Sequence, residues 1–231
     1  MPQRLRVTYR KDGPARYVAH LDVMRTWERA IRRAGLPLAY SQGFSPHARL
    51  QLAAPLPVGT IGERELLDLW LDEPVAPLEA GRRLAEALPP GLEVVEVEEI
   101  GDRLPALQAS LRAARYEVRF GPRALDVPAA AAAIERLLAL EELPWEEARG
   151  DRTRSYLLRA TIFEMRLRPS SEGDVIEMRL AMADGLTGRP ASILAALAVE
   201  AEPDAIVRTE VEVDRPQVAM RAWRERGRFE D

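Results

Sequence analysis

The stretch Gln3-Arg4-Leu5-Arg6-Val7-Thr8-Tyr9-Arg10 decides the fold. Leu5, Val7 and Tyr9 fall on one side of a period-two alternation, with Arg4, Arg6, Thr8 and Arg10 on the other, which is the mark of a strand with one face in the core. From His20 to Ala34 the period changes to that of a helix: Leu21, Met24, Trp27, Ile31 and Ala34 form its apolar stripe, and Gly35 and Pro37 stop it. Two extended pieces, Leu38–Tyr40 and Arg49–Ala54, flank the loop Ser41–His47. A strand follows at Glu65–Leu71, then an amphipathic helix at Pro77–Leu88 and a strand at Leu92–Ile100. The order strand, helix, extended pieces, helix, strand predicts a split βαβ, or ferredoxin-like, domain.

The second half repeats this order. Arg115–Phe120 alternates as a strand with Tyr116, Val118 and Phe120 inward, and Pro128–Glu142 is an alanine-rich helix. Tyr156–Arg168 and Val175–Met182 predict one long hairpin, and a helix at Pro190–Ala198 with a strand at Ala205–Val213 closes the series. The expected class is α+β, a tandem of ferredoxin-like domains with antiparallel sheets. The domains span residues 1–104 and 112–213, and an arginine-rich tail around Trp223 spans 214–231.

Composition narrows the chemistry. The chain has 231 residues, 47% hydrophobic and 30% charged, as in an ordinary globular protein. No uncharged apolar run exceeds Val127–Ile134, far short of the roughly 20 residues of a membrane-spanning helix, and the first residues do not read as a signal peptide. No membrane association is therefore expected, and the cytoplasm is the expected compartment. The absence of cysteine excludes disulfides, thiolate metal sites, a cysteine nucleophile and an iron–sulfur cluster held by this chain. With only His20 and His47 besides, no metal site and no cofactor bound by this chain are expected.

The net charge of −4 hides an asymmetry: residues 1–50 hold ten basic and three acidic side chains, whereas residues 51–108 hold four basic and twelve acidic. At about 100° per residue, Arg25, Arg29, Arg32 and Arg33 share one arc of the first helix, opposite its apolar stripe. Only Asp22 lies in that arc and Glu28 lies off to one side, so the cluster reads either as a solvated surface or as an anion site. Arg4, Arg6 and Arg10 form a second group on a sheet face expected to be open. There, Asp68, Asp72, Glu96 and Glu98 on the flanking strands are placed to consume the charge in cross-strand pairs.

The loop Tyr40-Ser41-Gln42-Gly43-Phe44-Ser45-Pro46-His47 has the composition of an ordered binding loop. Tyr40 or Phe44 would stack on a base if exposed, or Phe44 would plug the core beneath the loop. The expected RNA-binding set is Arg25, Arg29, Arg32, Arg33, Tyr40, Gly43, Phe44 and His47. His20, near the helix start on the apolar side, reads as a buried, neutral, structural histidine. An alternative makes His20 and His47 the general base and acid of a metal-independent endoribonuclease. Asp184–Pro190 offers backbone amides and Arg189 at a helix entry, either as a phosphate site or simply as a helix start.

The blocks Ala19-His20-Leu21-Asp22-Val23-Met24-Arg25, Glu28 to Pro37, Gln42 to His47 and Pro55-Leu56-Pro57-Val58-Gly59 resemble the radical SAM-linked protein family, a domain of unknown function. Ala19 and Ser45 depart from the serine and asparagine of that pattern. The resemblance implies an accessory protein that works with a radical SAM iron–sulfur enzyme on RNA, tRNA or rRNA, with the cluster in the partner. A looser likeness to the CRISPR repeat-processing endoribonucleases, also tandem ferredoxin-like, motivates the enzyme alternative. A third reading is a protein-only adaptor of a radical SAM enzyme.

Overall fold

A computed structural model of the chain describes residues 2–101, 104–149, 152–183, 185–214 and 222–224. It is α+β, with mostly antiparallel strands and four α-helices among the described residues. The chain divides into two units, Met1–Leu111 with Val213–Asp231, and Arg112–Glu212.

In the first unit β1 (Gln3–Lys11) leads to α1 (His20–Arg33), then β2 (Leu50–Leu52), β3 (Ile61–Leu71), α2 (Pro77–Ala87) and β4 (Leu92–Ile100). The strand order is β4-β1-β3-β2, antiparallel throughout, with Arg6 opposite Asp68 on one side and Glu98 on the other. Leu5, Val7 and Tyr9 enter the core as the alternation requires, joining Leu67, Leu69 and Leu71 of β3 and Val94 and Val97 of β4. Trp27 of α1 is fully buried and meets the Tyr9 ring edge-on, with centroids 5.0 Å apart.

α1 ends by a hydrogen-bond pattern that needs a left-handed residue. Gly35 at φ 64° lets its own N–H reach the Arg32 carbonyl, while that of Leu36 reaches Ile31. The apolar stripe differs from expectation at one residue. Val23, Trp27, Ala30 and Ile31 are buried, whereas Leu21 is 64% exposed. Its angular position, about 20° from Arg32 and about 60° from Met24, puts it at the edge of the arginine arc and beside the stripe.

The opposite face of this sheet, expected to be open, is closed. Arg4, Arg6, Asp68 and Trp70 are all buried, and the carbonyls of Leu104 and Pro105 accept hydrogen bonds from Arg4. Of the tail, Asp214 and β12 (Ala222–Arg224) are described, and the rest lies outside the described residues. β12 pairs antiparallel with β4, Trp223 opposite Val97, so this piece of the tail joins the sheet of the first unit.

The second unit holds β5 (Leu111–Arg119), α3 (Val127–Ala139), β6 (Pro144–Arg149), β7 (Arg152–Leu157), β8 (Ile162–Arg168), β9 (Val175–Ala183), β10 (Leu186–Thr187), α4 (Pro190–Ala196) and β11 (Ala205–Val213). Its main order is β11-β5-β9-β8, with the short β10 also on β9. Asp126 caps α3, accepting the Ala129 N–H at 3.0 Å, and Pro128 starts it.

The single strand expected over Tyr156–Arg168 is a misreading. A 3-10 turn at Arg159–Thr161 interrupts it, and β7 turns back on β6 as a separate hairpin, with Tyr156 opposite Trp145. Both segments alternate, so periodicity alone joined what the turn separates.

Candidate nucleic-acid interface

The two arginine groups of the first unit have different fates. Arg4 and Arg6 converge on the single carboxylate of Asp68. Arg4 donates to Oδ2 from Nη2 at 2.6 Å, and Arg6 donates to Oδ1 from Nε at 2.7 Å and to Oδ2 from Nη2 at 2.9 Å. The Arg4 guanidinium also lies 4.9 Å from the Trp70 ring centre, and that of Arg49 lies 5.0 Å from the same ring. A fully buried Asp68 between two guanidiniums holds strand against strand and offers nothing to a ligand. Arg10 sits apart, paired with Asp12 at 2.7 Å.

The arginines of α1 remain in water. Arg25 pairs with Asp22 at 3.0 Å, one turn away on the same helix. Arg32 pairs with Glu28 and donates from Nε to the Tyr40 hydroxyl at 2.9 Å. That hydrogen bond and the Glu28 charge push the Arg32 guanidinium still further up from its ordinary value. Glu28, expected off to one side of this arc, is near enough to pair, since it lies only about 40° from Arg32 in helical projection.

Arg29 and Arg33 differ from these two. Both are exposed, Arg29 bonds the carbonyl of Arg25, and neither pairs with a carboxylate among the described residues. Half of the cluster is therefore compensated within the helix and half is not.

The loop stands beside the last turns of α1, tied there by Arg32 and Tyr40. Tyr40 bridges to Ala48, and Ser41 closes the loop twice. Its N–H reaches the His47 carbonyl at 2.8 Å, and its Oγ accepts the His47 N–H at 2.9 Å. Above this neck Gln42 to His47 are all exposed. Gly43 takes φ 143°, a backbone angle that side chains disfavour, and Phe44 next to it projects entirely into water. Phe44 therefore does not plug the core. His20 opens α1 and is half-buried, whereas Arg32, which ties the loop of His47, lies about 18 Å further along the helix. The two imidazoles thus belong to different ends of α1.

Leu21, Tyr17 and Val58 add exposed apolar surface near the start of α1. Leu21 was legible from its helical angle; Tyr17 and Val58 carry no periodic signal. Arg189 at the start of α4 pairs with Glu147 at 2.6 Å, so it is not held for a phosphate; Asp184 of that segment lies outside the described residues.

The outer sheet face of the second unit supplies a contrast. Arg115, Arg119, Arg166, Arg168 and Arg179 are every one paired, with Glu117, Glu164, Glu177, Glu210 and Glu212. Hydrogen bonds from Arg179 hold the Glu212 carboxyl below its usual range. For Glu177 burial pushes upward, and the hydrogen bonds from Arg166 and Arg168 outweigh it. Among the described residues no group of three histidine, aspartate or glutamate side chains is placed to hold a metal ion, and no helix is long and apolar enough to cross a membrane.

Residues 4–190 match the sequence profile of a family described as "Uncharacterized protein conserved in bacteria (DUF2344)". No curated protein matches the chain. Among solved structures it is similar to a chain of "Crystal Structure of a Cbf5-Nop10-Gar1 Complex", at 14% identity and a TM-score of 0.49 over 90% of its length. The chain spans 48% of the length of that structure's chain, and a likeness at this score carries no argument about function.

Proposed function

The chain belongs to the bacterial DUF2344 family, and we propose that it is a non-catalytic RNA-binding module whose contact surface is α1 with the Tyr40–His47 loop. The observation that carries this reading is the pair Arg29 and Arg33, exposed on one helical face without carboxylate partners among the described residues, beside a closed loop that holds Phe44 in water. Unpaired like charges one turn apart repel, and a polyanion relieves the repulsion. In this reading the strand orders of the two units are those of a tandem of split βαβ domains, the helices covering one sheet face in each. The resemblance carried by His20–Pro37 and Gln42–His47 adds the partner: a radical SAM enzyme acting on tRNA or rRNA, in the cytoplasm. Because this chain has no cysteine, the partner would hold the cluster.

The test is RNA binding by the full chain across a salt series. For two phosphate contacts, Arg29→Ala with Arg33→Ala lowers the slope of log affinity against log salt by about 1.4 on a single strand or about 1.8 on a duplex. An unchanged slope refutes the surface.

Leu21, exposed at the edge of the arginine arc next to Arg32, favours a second reading, the protein-only adaptor docked through α1. Capture of a radical SAM partner that survives nuclease treatment supports the adaptor, and capture lost with nuclease supports the RNA module.

A further inference from the structure

We infer that the RNA segment taken by this surface is unpaired, a few nucleotides of one strand with a base stacked on Phe44, and that a duplex is a poor ligand. The inference rests on the RNA-binding reading and goes further, to the class of substrate.

Phe44 is the most exposed large apolar side chain described, with a relative exposure of 107%. It sits above the doubly closed neck at Ser41 and His47, between Gly43 at φ 143° and the Ser45-Pro46 pair, so the loop carries the ring out into water. An aromatic face gains from RNA by stacking on a base, and that requires a base whose face is free. In a duplex each face is covered by its neighbours and the groove edges offer no ring surface, so Phe44 would stay in water.

The cations point the same way. Arg29 and Arg33 are one helical turn apart, with Cβ atoms about 6 Å from each other, a span that suits successive phosphates of one strand. Arg32 adds a second flat surface. Its guanidinium is oriented by Glu28 and the Tyr40 hydroxyl and remains 57% exposed, and guanidinium planes accept stacked bases as aromatic rings do. A wide groove would instead call for cations spread over several elements. On this unit Arg4 and Arg6 are sealed on Asp68, and Arg82 and Arg83 are paired with Glu79 and Glu86.

The experiment measures binding of the full-length protein to a fluorescent oligouridine of about twelve nucleotides and to an RNA duplex of the same length, at low salt. The expected result is a single strand bound about tenfold more tightly than the duplex. Phe44→Ala should abolish that preference by weakening the single strand alone, and Phe44→Trp should keep it. Because the ring touches no core, these variants fold as the parent does. Equal affinity for both probes, or an indifferent Phe44→Ala, overturns this inference and leaves the RNA-binding reading standing. Binding to neither probe overturns both.

Discussion

Arg4 and Arg6 on β1 and Arg29 and Arg33 on α1 are pairs of the same residue in the same basic fifty-residue segment, and the fold treats them oppositely. The first pair is desolvated, and two guanidiniums share one carboxylate. The second pair stays hydrated and unshared. Burial makes the counterion obligatory in the first case, because an unpaired charge out of water is costly. Hydration removes that demand in the second and leaves the charge available. Arginine density is thus no guide to nucleic-acid contact. The second unit makes the point again, with five arginines in its sheet face, three of them exposed and two half-buried, and a carboxylate partner for every one.

The largest break in this comparison is Asp68→Ala. It strands two buried guanidiniums and should cost about 3–5 kcal/mol, read as a lower urea midpoint; a loss below about 1 kcal/mol would show that water reaches Arg4 and Arg6. The double change Arg29→Ala, Arg33→Ala should do the reverse. Stability holds within about 0.5 kcal/mol, while the salt dependence of RNA binding weakens as given above.

Glu212→Gln probes the compensated face. The carboxyls of Glu177 and Glu212 lie below their ordinary value in the folded state, so their contribution is present above about pH 4.3 and lost as pH falls through the lower folded values. Glu212→Gln should therefore cost about 1 kcal/mol or less at neutral pH and flatten the fall in melting temperature below about pH 4. An acid limb identical to the parent's would show that Arg179 and Arg115 do not stabilise the ionised form. The smallest effect belongs to Arg166→Ala with Arg168→Ala, which should leave RNA affinity and its salt slope unchanged. A weakened slope would move the interface to the second unit.

Much of this was legible from local patterns. The alternation of β1 placed Arg6 and Asp68 on one face, and the register set them directly opposite. The helical period of α1 and the Gly35 stop were equally plain, because hydrogen-bond geometry within a helix is decided over a few residues. Glu28 and Arg32, four apart, carried their pairing in their spacing, as Leu21 carried its exposure in its angle. Two alternating segments cannot reveal the turn at Arg159–Thr161 that separates β7 from β8, since both halves keep period two.

Composition alone excluded thiol chemistry, and short-range spacing determined most strands, the helices and the facing of most side chains, because those depend on neighbours within one or two turns. Tertiary structure alone decided that Asp68 would be enclosed while α1 stayed wet, and that Phe44 would point outward. Desolvation is a property of everything packed around a group, much of it remote along the chain, and the same guanidinium becomes a strut or an open hand according to what covers it.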